Sequence, residues 1–227
     1  MIRQDRCAMK LSTDAVLLGA LSRQSHPEMI LDIGMGTGVI GLMLAQRYPI
    51  ARVHGVELEP EAFSQASENI QESPWKHRVA IFNDSFQHFS QNTDQKYDLI
   101  VSNPPYFSNH LKSVDPGRNV ALHNEQLSQK DLLKGVEQLL RKNGLFWLIL
   151  PPREMGLFKE NAQHSRLYLQ HRYLIRDQPH HNPHREICSY GMDPKTAELD
   201  AEITLKENPD RYSQAYHELV TDFLLHH

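Results

Sequence analysis

The run Asp32-Ile33-Gly34-Met35-Gly36-Thr37-Gly38 sets the tightest limit on how this chain can fold. It follows Met29 to Ile33, a short apolar strand, and leads into a helix expected to reach about Arg47. Glycines at 34, 36 and 38 let the backbone bend sharply and let a ligand approach it closely. The helix behind them presents free N–H groups and a positive dipole end. A dinucleotide fingerprint has G-x-G-x-x-G, whereas this run is G-x-G-x-G after an acid. The charge of Asp32 would repel a phosphate but suits a cation, such as the amino group of a methionyl moiety.

Around this junction strand and helix signals alternate. Thr13 caps a short helix from Asp14 to Leu21. Arg52 to Glu57 is a second strand, and Pro60 opens a helix through Ile70. Ser73-Pro74-Trp75 reads as a turn, Val79 to Phe82 as a third strand ending at Asn83-Asp84, and polar Gln87 to Lys96 as a surface loop. Tyr97 to Ile100 is a buried strand, and Ser108 to Leu127 is a long polar stretch. Ser128 with Asp131 resembles a capping box. The helix it opens carries Leu132, Leu133, Val136, Leu139 and Leu140 at helical spacing and ends at Gly144, before a fifth strand, Leu145 to Leu150. Residues 153–164 read as a helix. Arg166 to Tyr173, Arg185 to Tyr190 and Glu202 to Leu205 read as strands, and Tyr212 to Leu225 as a closing helix.

Such alternation predicts an α/β fold with a mainly parallel sheet, helices on both faces and an antiparallel pair finishing the edge. One domain spans 1–227: a leader and helix over 1–28, a ligand-binding core over 29–150, and a sheet edge with closing helix over 151–227.

Composition removes several classes. No apolar run approaches the roughly 20 residues of a membrane span, and the N-terminus lacks a signal-peptide stretch. Cys7 and Cys188 are too few for a disulfide framework or a zinc site, which points to a reducing cytoplasm. A net charge of −4 gives no general support for nucleic-acid binding. A local basic rim would have to come from Arg3, Arg6, Lys10, Lys112, Arg118, Arg141 and Lys142, which read equally as scattered surface charge. His180, His181 and His184 cluster in a Pro/His-rich loop and read as solvated rather than as metal ligands. No metal is expected, and a monomer is the default.

Three acids end three consecutive strands. Glu57, about 20 residues beyond the glycine turn, is placed to hold both ribose hydroxyls. Asp84 is placed to accept from an adenine amino group. Together with Asp32, Gly34 and Gly36 they make S-adenosylmethionine the expected cofactor, with NAD the alternative. After the fourth strand comes Val101-Ser102-Asn103-Pro104-Pro105-Tyr106-Phe107. Its prolines lack N–H donors and leave their carbonyls as acceptors. Asn103 adds an amide and Tyr106 a flat ring, a set that suits a planar group bearing an NH2. A proline-stiffened turn is the plainer account of the same residues.

Taken together, Asp32 to Gly38, Glu57, Asp84 and Asn103-Pro104-Pro105-Tyr106 resemble a class I, amino-directed methyltransferase. Finer features resemble the bacterial tRNA(Val) adenine-37 N6-methyltransferases. These are Gln4-Asp5-Arg6-Cys7-Ala8-Met9-Lys10, Ser12 to Ala20, Glu68-Asn69-Ile70, Ser73-Pro74-Trp75 and the continuation Tyr106-Phe107. Two departures stand out. The family usually carries an aromatic and basic segment before Gln4, and Leu122 stands before His123 where members tend to have arginine.

The resemblance implies a Rossmann-like class I methyltransferase fold with a seven-stranded sheet and an antiparallel strand at its edge. It implies methyl transfer from S-adenosylmethionine to an adenine N6 in the anticodon loop of a valine tRNA. Asn103, Pro104 and Tyr106 would carry the catalysis. Asp32, Gly34, Gly36, Glu57, Asp84 and Asn103 would hold the cofactor, and Tyr106 and Phe107 would stack on the base. For Phe107, a core aromatic anchoring the loop is the competing reading. Another acceptor on the same fold (rRNA guanine N2, another RNA or DNA adenine, or a protein glutamine) is the alternative. Glutamine methyltransferases usually carry an N-terminal helical domain, and only about 30 residues precede Asp32. An inactive cofactor-binding assembly module is a second alternative, and it would have no need of the Asn103 to Tyr106 turn.

Overall fold

In the computed structural model, which describes residues 2–3, 12–104, 127–194 and 200–223, the expected alternation is present. Helix α1 (Thr13–Leu21) precedes β1 (Met29–Ile33), α2 (Val39–Arg47), β2 (Arg52–Glu57), α3 (Pro60–Glu72) and β3 (Val79–Asn83). Then come α4 (Phe86–Gln91), β4 (Tyr97–Ser102), α5 (Gln129–Leu139), β5 (Leu140–Leu150) and α6 (Pro152–Ala162). The chain closes with β6 (Tyr168–Arg176), β7 (Arg185–Gly191), β8 (Asp200–Thr204), β9 (Lys206–Asn208), β10 (Arg211–Tyr212) and α7 (Gln214–Val220).

Eight strands form one sheet in the order β3-β2-β1-β4-β5-β7-β6-β8. The Rossmann-like class holds, with one strand more than the expected seven. Strand β7 alone runs against its neighbours, and it lies between β5 and β6 rather than at the edge, where β8 pairs parallel to β6. The strand order reverses between β1 and β4, which pair in parallel. Alternate residues of each strand enter opposite layers. Ile30, Val53, Leu99, Val101 and Trp147 pack with α1, α2 and α7, whereas Leu31, Ile33, Val56, Ile100 and Phe146 pack with α4, α5 and α6. Cys188 is buried as a free thiol in the second layer.

Helix ends are closed by specific donors and acceptors. Ser12, one residue earlier than expected, caps α1 by accepting from the Ala15 amide at 3.2 Å. The guanidinium of Arg47 donates to the carbonyls of Gly19, Ala20 and Ser22, which α1 leaves unpaired at its end. Arg78 does the same for Ala45, Tyr48 and Ala51 after α2.

Three sequence expectations change. Residues 87–96 are not all loop, because Ser85 caps α4, and Phe86 and Phe89 anchor it in the core. Gly144 does not end α5. Leu140 turns extended to pair with Tyr97, and Gly144 lies inside β5, past an irregularity opposite Tyr97 and Leu99. The closing helix begins at Gln214, capped by Ser213, because Arg211 and Tyr212 pair with β9 instead. The stretch 108–126 lies outside the described residues.

At the amino edge of the sheet, Asp98 gathers four bonds. It accepts from the Glu28 and Met29 amides at 2.9 Å each, and its two oxygens accept from Arg141 at 2.9 and 3.0 Å. Asp98→Ala is expected to cost about 1–3 kcal/mol, because two backbone donors and a guanidinium lose their acceptor. Equilibrium urea denaturation checks it, and an unchanged midpoint at equal slope would show that the network contributes nothing.

Candidate active site

Register places the site. Ile33 pairs with Ser102 on one side and Val56 on the other, and Glu57 pairs with Asn83. The next residues along, Asn103, Gly34 and Glu57, therefore lie side by side at the carboxyl edge, with Asp84 one step beyond β3. The reversal between β1 and β4 opens a crevice there, where ligands of open α/β sheets bind. Ser102 donates its hydroxyl to the Ile33 carbonyl at 3.1 Å, fastening β4 to β1 immediately before Asn103.

The glycine turn is built as its sequence requires. Gly34, Gly36 and Gly38 have φ of 70°, 56° and 85°, a region that side-chain-bearing residues rarely adopt. Gly34 and Met35 both donate to the Val56 carbonyl, at 2.9 and 3.1 Å. The Met35 side chain fills the space that a Cβ on Gly41 or Gly55 would need, seating the turn between α2 and β2. Asn69, from α3, donates to the Thr37 carbonyl at 2.9 Å and exchanges two bonds with the backbone of Arg3.

Asp32 is fully buried beneath the turn and lines neither cavity of the site. Its Oδ2 accepts from the Gly41 amide at 2.9 Å, and its Oδ1 is buried without a hydrogen-bond partner. Glu57 accepts from Gly36 N at 2.8 Å through Oε2 and from Glu59 N at 2.9 Å through Oε1. A carboxylate offers about four acceptor positions, so Glu57 retains capacity for further donors. Asp84 accepts from the Ser85 amide at 2.8 Å, and its other oxygen lies 2.7 Å from His88 Nδ1. Both acids thus shape backbone while keeping free lone pairs.

Two cavities meet at Asn103. A small one of about 40 Å³ is lined by Ser12, Gly34, Met35, Gly36, Thr37 and Asn103, among others. A larger cleft of about 540 Å³ runs from Asn103 and Pro104 to the loop ends of β6, β7 and β8. Its wall includes Asp14 and Arg185, an ion pair of 2.7 Å that ties α1 to β7. Burial, with the neighbouring Arg185 charge adding to it, lowers the pKa of His184 on the same wall, which favours neutral imidazole.

Gly34, Gly36 and Asn103 thus come together as expected, Asp32 lies below them, and Glu57 and Asp84 follow along the edge. Pro105, Tyr106 and Phe107 lie outside the described residues, as do Cys7, Arg6, Lys10, Lys112 and Arg118 of the earlier readings. Arg3 pairs with Glu72, and Arg141 and Lys142 sit at the amino edge, away from the site. Among the described residues no three of His, Cys, Asp and Glu converge as metal ligands, and no helix is long and apolar enough to cross a membrane. Ser12 and Asn69 are contributions that sequence reasoning missed. Both stand in segments that carried the resemblance, Ser12 to Ala20 and Glu68-Asn69-Ile70, but their roles were not read.

The family model described as methyltransferase small domain matches residues 12–155. The chain is 42% identical over 225 residues to the tRNA1(Val) (adenine(37)-N6)-methyltransferase of Bacteroides fragilis, covering 97% of this chain and 93% of that one. The protein of the same description from Photorhabdus laumondii is 38% identical over 227 residues, covering 100% and 93%. Among solved structures, one described as a predicted O-methyltransferase from Agrobacterium tumefaciens matches with a TM-score of 0.72 at 16% identity, over 92% of this chain and 96% of that one. That likeness is one of fold.

Burial pushes the Asp32 carboxyl up to about 7, opposed by the Gly41 hydrogen bond and reinforced by the Glu57 charge. The unfolded value is about 3.9, so between these limits the native state holds a proton that the unfolded state has released. The resulting stabilisation is full below about pH 4 and is lost as pH rises through about 7. Asp32→Asn keeps the acceptor for Gly41 and should remove a downward slope of up to about 1.4 kcal/mol per pH unit across this window. Urea denaturation at stepped pH reads the difference, and identical slopes would mean that native Asp32 is already ionised.

Proposed function

The chain belongs to the tRNA1(Val) (adenine(37)-N6)-methyltransferase family, and from that premise we propose that it transfers a methyl group from S-adenosylmethionine to N6 of adenine-37 in a valine tRNA. The observation that carries this reading is the position of Asn103, shared by the cavity at the glycine turn and the larger cleft at the β1–β4 reversal.

The acids around the glycine turn and along the strand ends beside it fit the cofactor. Asp32 Oδ1 is a buried acceptor without a partner, as a nearby ammonium would require. Glu57 has lone pairs left for two ribose hydroxyls, and Asp84 for an adenine amino group. When bound, S-adenosylmethionine supplies an electrophilic methyl group on a sulfonium centre.

The chain's own part is to hold and sharpen the nucleophile. An aryl amine is a weak nucleophile because its lone pair is delocalised into the ring. Hydrogen bonds donated by that NH2 to the Asn103 side-chain oxygen and the Pro104 carbonyl favour a more tetrahedral nitrogen, whose lone pair then points away from the ring. Pro104 is buried and has no N–H, so this wall offers an acceptor without a competing donor. Tyr106, with Phe107, stacks on the base and fixes the direction of attack. Positioning supplies most of the acceleration, and no general base is needed before the bond forms. The target base leaves its stack to reach the cleft, which costs least in a single-stranded loop. We place the reaction in the cytoplasm, in keeping with the two cysteines, of which Cys188 is a buried free thiol.

Labelled S-adenosylmethionine incubated with tRNA lacking N6-methyladenosine, followed by nucleoside mass analysis, tests the proposal. Label is expected as N6-methyladenosine in valine tRNA, with Asn103→Ala slower by about 100-fold or more. Label found only in rRNA or protein would overturn the acceptor assignment while leaving methyl transfer in place.

A further inference from the structure

The large cleft extends well past Asn103 and Pro104, and its far wall is the β9–β10 hairpin, which methyl transfer itself does not require. Tyr212 and Lys206 both line it. They are a cross-strand pair of the hairpin, with the lysine Nζ 5.7 Å from the centre of the tyrosine ring, within cation–π range. Tyr212 is 42% exposed. Behind it the buried ring of Tyr216 stacks at 4.6 Å and 20°, so the exposed ring is backed by a fixed aromatic layer.

The hairpin is also held rigidly. Leu205 N donates to Arg176 O at 2.9 Å, Lys206 N to Asp177 O at 2.8 Å and Ser213 N to Leu205 O at 2.8 Å. Elsewhere on the wall Arg185 pairs with Asp14, His184 is biased towards its neutral form, and the Asp177 carboxylate lies 3.8 Å from His181 Nδ1. Among the described residues Lys206 is left without a carboxylate partner, beside a flat exposed ring. At about 540 Å³ the cleft lies within the range of about 300–1,000 Å³ typical of ligand sites.

Resting on the function proposed above, we infer that the β9–β10 hairpin binds the nucleotide next to the methylated adenine. Lys206 swings from the ring face to its phosphate, and its base stacks on the Tyr212 face that the lysine vacates, the other face being covered by Tyr216. A flat ring paired with a cation is the chemistry by which proteins hold single-stranded nucleic acid, since every base has a π-face and every linkage a charge. The arrangement accounts for a cleft longer than one base. It also sets a positive charge where contact is made, in a chain of net charge −4.

Methylation of tRNA at varied concentration and salt, with the cofactor affinity of each variant measured by calorimetry, tests this. Tyr212→Ala should raise KM for tRNA about tenfold with kcat and cofactor affinity held, and Tyr212→Phe, which keeps the ring, should recover most of the loss. Lys206→Gln should lower the salt slope of log kcat/KM by about 0.7, the share of one single-strand phosphate. With wild type active on tRNA, an unchanged KM in Tyr212→Ala and an unchanged slope in Lys206→Gln would overturn the inference alone. Weakened cofactor binding in both variants would overturn it too, by placing the hairpin on the cofactor side. Wild type inert on tRNA but active on another acceptor would overturn the reading beneath it, and the inference with it.

Discussion

Much of this structure hangs on one hydrogen bond in a dry place, from the Gly41 amide to the Asp32 carboxylate. The bond joins the last turn-facing residues of β1 to the first turn of α2, across the glycine loop between them. Burying a carboxylate is unfavourable, and the raised pKa of Asp32 records that cost. The fold tolerates it because the same acid fixes where the helix begins, and the helix start fixes the loop. Met35 then wedges the loop from below, Asn69 holds the Thr37 carbonyl from the side, and Glu57 holds the Gly36 amide from the next strand. Neighbouring elements thus converge on five residues, and a turn that would otherwise be flexible is held in one conformation.

Parallel pairing does the rest. With β1 between β2 and β4, carboxyl ends gather at one edge, and register sets which residues stand abreast. Asn103 and Gly34 are 69 positions apart in the chain yet adjacent across the sheet, because Ile33 and Ser102 are paired one step before them. A one-residue slip would invert every inward-facing side chain of the strand, so the buried rows of Leu99, Val101 and Ile30 on one face and Ile100 and Leu31 on the other lock that register. Packing on both faces therefore determines the distance between the two halves of the site.

Legibility in the sequence follows from the same physics. The boundaries of β1, α2 and β2 could be read because apolar runs bounded by glycine, proline or charge are local signals. The glycine turn and its neighbouring acids were readable for that reason: the motif is contiguous, and the acids fall at strand ends. Helix α4 was not, since six residues resting on Phe86 and Phe89 carry too short a period to distinguish from loop. Gly144 misled because a glycine after a helix usually ends it, whereas here Leu140 is drawn into pairing with Tyr97, a partner 43 residues away. Asn69 was flagged only as part of Glu68-Asn69-Ile70, and its role could not be read because it exists only once α3 lies beside the glycine turn.

The C-terminal third illustrates what such long-range dependence permits. Strand β7 runs antiparallel between β5 and β6, so its first residue, Arg185, arrives at the carboxyl edge, while the ends of β6 and β8 arrive there from the other direction. Without that reversal Arg185 would stand at the amino edge, unable to reach Asp14 on α1. The reversal thus closes one side of the cleft with an ion pair between residues 171 positions apart, and it leaves the β9–β10 hairpin to form the other. Residues 12–104 build the glycine-turn side of the crevice from short-range motifs. The opposite wall is assembled from strand direction, so substitution in the β9–β10 hairpin leaves the packing around the glycine turn undisturbed.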